Sequence, residues 1–256
     1  MILEKANSGL RERLKESCAG LMASRGSIGG RILLDVPTIY PSGASAVVEI
    51  ERNGDRVRVS DMGNGLLEAE MMAAQDGYRP LARKKAQAFG IGFDNRDNRA
   101  LFTLWVPEGR LGGAIICVAN ASTQAAAEAV RVASEARARQ KAEAVFERID
   151  RVFGSRATAR TAEIRGRRAT WNARNVVTLP NARRAIFEPM NNNTGSVSGK
   201  FLMFTDIREA GAGIALNAVV EDSQNLNAKA QMVADLANII DIRSPDEMFK
   251  RMGVAG

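Results

Sequence analysis

The sequence contains no histidine and only two cysteines, Cys18 and Cys117, in 256 residues. Without histidine no Ser-His-Asp or Cys-His nucleophile can be assembled within the chain, and a zinc site of any common type lacks its ligands. Acid–base work falls to Asp, Glu, Lys, Tyr or Cys. Any metal is a hard ion such as Mg²⁺ on carboxylates, and no cofactor is expected. Two cysteines make no disulfide framework and read as reduced thiols of a cytoplasmic protein. No apolar run approaches the ~20 residues of a membrane span, and charge from Glu4 onward argues against a secretory signal. What is present is ordinary for a globular protein: 45% apolar and 25% charged residues, enough for one large domain or two smaller ones.

Along the chain, Leu3, Leu10, Leu14, Cys18 and Leu21 form one apolar stripe and predict a helix over 2–24. Val47, Val48 and Ile50 before Asn53-Gly54, with Val57 and Val59 after it, predict an antiparallel hairpin over about 46–52 and 55–60. Pro37 and Pro41 make 31–42 an edge strand or a loop. Asp61-Met-Gly-Asn-Gly65 is a turn whose Asp61 would cap a helix at about 66–75. A basic helix over 80–88 and a hairpin over 91–106 follow. The alanine-rich stretch 111–153 has helical spacing and reads as one long helix or two consecutive ones, and Gly154-Ser155 ends it. Beyond, 200–207 and 213–222 read as strands like the segments before them, 224–240 as a helix and 245–252 as a last short helix, with Ser244 and Glu247 spaced as a capping box. The expectation is an α+β protein of two domains, 1–153 and 154–256. Each is a small, mainly antiparallel sheet packed with helices, and the long helix joins them.

The net charge of +7 is not evenly spread. Residues 148–184 hold ten Arg and no Lys against Asp150 and Glu163, a net of +8, so the rest of the chain sums to −1. Arg grips phosphate in a planar, bidentate manner and an aromatic ring stacks on a base. Arg165, Arg167, Arg168, Arg174, Arg183 and Arg184 are therefore the candidate phosphate contacts, with Trp171 as the stacking residue. Two other readings compete: a solvated face whose Arg pair with acids elsewhere in the fold, and a docking face for an acidic protein.

Asp61-x-Gly63-x-Gly65 and Phe89-Gly90-Ile-Gly92-Phe93 resemble the nucleotide-binding Asp turn and glycine lid of the gyrase, heat-shock-chaperone and histidine-kinase ATPase superfamily. The resemblance departs at Glu4 and Asn7, three residues apart rather than four, and at the lid, which should open a helix but precedes a hairpin. Ordinary turn glycines explain the same motif. Glu163, Glu188 and Asp206 are candidate carboxylates for a Mg²⁺-dependent nuclease of the P-D…(D/E)-x-K type; there Met190 holds the place of the lysine. Ser8, Ser17 or Ser27 with Lys15 carry no distinctive spacing, and Cys18 belongs to the apolar stripe.

Residues 45–130, through AVVEIERNGDRVRVSDMGNGLLEAE and FGIGFDNRDNRALFTLWVPEGRLGGAIICVANA, resemble an uncharacterised domain family of phage and bacterial mobile-element proteins. The C-terminal half, with RRAIFEPMNNNTGSVSGKFLMFTDIRE, looks similar to a companion domain resembling a degenerate nuclease-like unit. The resemblance implies two domains and a phage, mobile-element or defence setting, and supplies no catalytic residue. The reading is a non-enzymatic interaction protein whose basic C-terminal domain contacts nucleic acid or a nucleoprotein complex, while the first domain is a structural or protein-binding module. The alternatives are an inhibitor or assembly subunit acting on an acidic protein surface, or forming a homo-oligomer through 111–153, and a Mg²⁺-dependent nuclease or ATPase. No membrane partner is expected.

Overall fold

A computed structural model describes residues 23–94, 99–180, 182–211 and 213–254. The chain is α+β and divides into two compact units, Met1–Glu135 and Ala136–Gly256. Residues 2–22 of the helix expected over 2–24 lie outside the described residues, and Ala23 opens a strand instead.

The N-terminal unit is built on an antiparallel sheet. Its strands are β1 (Ala23–Ile28), β2 (Arg31–Ile39), β3 (Ser45–Asn53), β4 (Arg56–Ser60), β5 (Gly92–Phe93), β6 (Leu101–Phe102) and β7 (Val106–Pro107), in the order β1-β2-β3-β4-β6-β5 with β7 also on β4. The β3–β4 hairpin closes where the sequence places it: Asn53 pairs with Arg56, and Gly54 takes the positive φ of +62° that the reversal requires. Val48, Ile50, Val57 and Val59 alternate into the core. Strand β2 is internal, between β1 and β3, which corrects the edge-or-loop expectation for 31–42. The pairing steps from Val36↔Ala46 to Ile39↔Ser45, so Pro37 sits in a bulge where no ladder donor is needed.

Helices α1 (Asn64–Met71) and α2 (Gln75–Phe89) follow β4, and β5–β6 form the later hairpin. Helix α3 (Leu111–Phe153) is one continuous helix of 43 residues. Its first half packs into the N-terminal core through Ala114, Val118, Ala119, Ala125, Ala126 and Ala129, small residues that let the backbone approach the sheet closely. The division between units falls within α3, at 135/136, and not at its end near 153. The reason is that Val145, Ile149 and Phe153 pack with Phe187 and Phe249 of the C-terminal unit. Among the described residues no helix is long and apolar enough to cross a membrane.

The C-terminal unit carries a mixed sheet, ordered β12-β11-β10-β9-β8. Strands β8 (Thr158–Arg165), β9 (Thr170–Thr178) and β10 (Arg184–Pro189) form an antiparallel meander, whereas β10, β11 (Ala215–Val220) and β12 (Asn238–Asp241) are parallel. Two sequence expectations are corrected here. Residues 200–207, read as a strand, belong to helix α4 (Thr194–Glu209), started by Asn193, whose side chain accepts from Ser196 N. Parallel strands need a crossover, and Val197, Phe204 and Ile207 lie at helical spacing to cover the sheet. Residues 224–240, read as a helix, form only α5 (Ala228–Gln231), a 3₁₀ turn at Met232–Asp235 and then β12. The open edge of β11 takes up Asn238–Asp241, and Asn238 is tied to the buried Asn217. Helix α6 (Asp246–Val254) closes the fold near its expected position.

Candidate nucleic-acid interface

Strands β9 and β10 pair only over 176–178 and 184–186. Beyond that point they part, and side chains replace the ladder. The Asn175 amide, on a residue with φ of +53°, donates to Phe187 O at 3.2 Å. Arg174 N donates to Glu188 Oε1 at 2.5 Å. Glu188 is 1% exposed, and its Oε2 accepts from Lys200 Nζ at 2.5 Å. Burying a carboxylate is tolerable only with such partners.

The gap opens into a cleft of about 440 Å³. Trp171, Asn172 and Arg174 of β9, Glu188 of β10, Ser196 and Lys200 of α4 and Lys141 of α3 line it. Lys141 Nζ reaches Asn191 Oδ1 at 2.6 Å and Glu221 at 3.1 Å. Three cations thus meet around a single lining carboxylate, beside the amino end of a 16-residue helix whose dipole favours anions. Arg174 is exposed, and its side chain has no partner among the described residues. Lys200 retains donors beyond the one given to Glu188. Chemically, this arrangement can hold a phosphate.

The residues singled out from sequence fall at three places on the sheet. Arg165, Arg167, Arg168 and Trp171 lie at the end of the sheet where β8 turns into β9, and Arg174 lies in the middle of β9, opposite Thr161. Arg183 and Arg184 lie at the other end, beside Thr178, about 23 Å along β9 from Trp171 at about 3.3 Å per residue. Arg165 is exposed with no side-chain partner among the described residues. Arg167 and Arg168 both reach Glu209, at 3.5 and 3.4 Å, and Arg160 pairs with Glu143 while lying over Phe146. Part of the segment is therefore paired with acids elsewhere in the fold. Trp171 is half-buried against the second core, and its Nε1 donates to Asp206 Oδ2 at 2.8 Å. Arg183 is half-buried and Arg184 exposed. Lys141, Lys200, Asn172 and Ser196 were not singled out. Ser196 and Lys200 share one helix face at i, i+4 spacing, a signal hidden when 200–207 is read as a strand.

Asp206 organises the cleft's rim. It accepts from Arg168 N at 2.8 Å and Ala169 N at 3.1 Å as well as from Trp171. A Cβ on Gly166 would fall 2.1 Å from Asp206 Oδ2, so only glycine fits there. The Trp171 bond, then the backbone donors, hold the Asp206 carboxyl below its usual range despite some desolvation. A lowered folded pKa contributes stability that is whole above the ordinary aspartate value of about 3.9 and is lost as pH falls through the folded value. In a Trp105→Phe background, Trp171 emission should stay constant down to about pH 4 and shift to the red below it. Asp206→Asn should show the shifted spectrum at neutral pH; an unshifted spectrum would refute the role.

The three nuclease-type carboxylates do not converge. Glu188 is in the cleft, Asp206 holds the rim, and Glu163 is exposed on β8 opposite Asn172. Among the described residues no group of three or more Asp, Glu, Cys or His is placed to hold a metal ion. The Asp61 turn of the N-terminal unit is likewise occupied. Asp61 is 0% exposed and accepts from Gly63 N, Gly65 N, Leu101 N and Ser122 Oγ. Gly63, not Asp61, holds the N-cap position of α1, while Asp61 Oδ2 accepts from Gly65 N in the helix's first turn. Burial pushes its carboxyl up against the pull of these bonds. A Cβ on Gly65 would lie 2.3 Å from Tyr78 Oη, and one on Gly92 2.7 Å from the Phe102 ring, so both glycines make room for side chains of the fold itself.

Family models, curated proteins and solved structures give no match to this chain.

Proposed function

We propose that the C-terminal unit binds the sugar–phosphate backbone of nucleic acid in the β9–β10 cleft, as a binding module and not as a phosphodiester-cleaving one. The observation that carries this reading is the convergence of Arg174, Lys141 and Lys200 on one cleft at the start of α4, with Arg165 exposed on the neighbouring strand β8. Metal-dependent cleavage draws on two or more carboxylates. The cleft is lined by one, Glu188, and its oxygens are engaged by Arg174 N and Lys200. In this reading the N-terminal unit is a structural or protein-binding module, because Asp61 and its glycines serve their own turn.

A mobility-shift titration with single-stranded and duplex DNA and RNA tests the proposal. Affinity should fall steeply between about 50 and 200 mM salt, as phosphate contacts require. Arg165→Glu/Arg174→Glu should weaken binding by at least tenfold and lower the salt slope by about one per Arg removed. Arg183→Glu/Arg184→Glu, at the far end of the sheet, should change it little. Salt-independent binding, or binding indifferent to the first pair, would overturn the reading.

A further inference from the structure

A second cavity, of about 370 Å³, adjoins the phosphate cleft within the C-terminal unit. It lies at the carboxyl ends of the three parallel strands. Pro189 ends β10, Val219 and Val220 end β11, and Ile242 follows β12, donating its N–H to Val220 O at 2.8 Å. Ala144 and Val145 of α3 close the other side. Crevices at the carboxyl ends of parallel strands are where open sheets with helical crossovers receive ligands. The walls are mainly aliphatic; Arg137, Gln140, Lys141 and Glu221 supply the polar groups.

Lys141 and Pro189 belong to the walls of both cavities. The two form one groove, with Arg174 and Lys200 on one side of Lys141 and mainly aliphatic walls on the other. A phosphate held by Lys141 and Arg174 carries its sugar and base to the boundary between them. We infer that the apolar cavity receives one unstacked nucleobase, so that the ligand is single-stranded nucleic acid or a frayed strand end and not continuous duplex. The inference rests on the phosphate-binding reading of the neighbouring cleft. The flat apolar face of a base packs on Ala144, Pro189 and Ile242, with the buried Val145 and Val219 behind them, and the Gln140 amide offers both a donor and an acceptor to its polar edge. In a duplex that face is stacked and that edge paired, so continuous duplex presents the same phosphates without filling the cavity.

The test uses the full chain and three labelled probes of equal phosphate number: oligothymidine, an abasic strand and a blunt duplex, compared by fluorescence anisotropy at fixed salt. Ala144 is exposed on α3, so Ala144→Trp fills the cavity without touching the core; Gln140→Trp does so from its mouth and serves if the first variant is misfolded by circular dichroism. Wild type should bind oligothymidine about tenfold more tightly than the abasic strand or the duplex, the size of one base contact. The filled variant should lose that preference and keep its affinity for the abasic strand. Salt-sensitive binding equal for all three probes, or a preference that survives both fillers, would overturn the base site while the phosphate reading stands. Absence of salt-sensitive binding to any probe would overturn both.

Discussion

Alanine in place of Asp61 is expected to unfold the N-terminal unit. The carboxylate is fully buried and acts only as an acceptor: Oδ1 takes Leu101 N at 2.7 Å and Gly63 N at 3.0 Å, and Oδ2 takes Ser122 Oγ at 2.6 Å and Gly65 N at 3.3 Å. Ser122 in turn lies 2.7 Å from Tyr40 Oη. These bonds tie the end of β4, the start of α1, strand β6 and helix α3 to one atom pair. Removing them strands three backbone donors at about 1–3 kcal/mol each, a loss comparable to the roughly 5–15 kcal/mol that holds a typical domain together. Asparagine in place of the acid keeps the shape but turns one acceptor into a donor facing other donors, so Asp61→Asn should fall between alanine and wild type. Urea denaturation followed through Trp105 emission in a Trp171→Phe background reads the N-terminal unit. Wild-type stability in Asp61→Ala would refute the acceptor role.

The second large effect is expected at Lys200. Its ammonium is the charge partner of Glu188, whose side chain is 1% exposed. Lys200→Met leaves that carboxylate buried without a counter-charge, an arrangement that costs about 3–5 kcal/mol. Glu188→Gln/Lys200→Met should recover most of the loss, because the Gln oxygen still accepts from Arg174 N and no charge remains buried. Chemical denaturation read through Trp171 in a Trp105→Phe background measures both. A single-variant loss under about 1 kcal/mol, the range of exposed pairs, would show that water reaches Glu188 freely.

The solvated-face reading of the basic segment, with Arg paired to acids elsewhere in the fold, describes part of it. Arg167 and Arg168 sit over Glu209, and Arg160 over Glu143. Arg165 and Arg174 have no such partners among the described residues. Which Arg belongs to which class depends on where the acids of α3 and α4 come to lie, and those residues are 17 to 42 positions away in the chain.

The same contrast runs through the fold. The β3–β4 hairpin was legible because Val47, Val48, Ile50, Val57 and Val59 around Asn53-Gly54 interact with near neighbours, and alternation with turn chemistry is written locally. Helix α3 was legible for the same reason. Residues 200–207 were not: Phe201, Leu202, Met203 and Phe204 form an apolar run that suits a strand or a helix, and the need for a crossover between β10 and β11 decides the matter. Asn238–Asp241 became a strand because β11 offers it an open edge. Pro37 is accommodated inside the sheet by a bulge that no local pattern announces.

By itself the sequence determined the absence of histidine chemistry, the net excess of positive charge in 148–184, one hairpin and the helical nature of 111–153. These follow from composition or from contacts between residues close in the chain. Only the tertiary structure decided that Arg174, Lys141 and Lys200 face one cleft, that Glu188 is neutralised by a lysine 12 residues away, and that Asp61 is buried as an acceptor. Those facts depend on a strand gap, a helical crossover and a packed helix, which bring distant residues together through the geometry of the sheet.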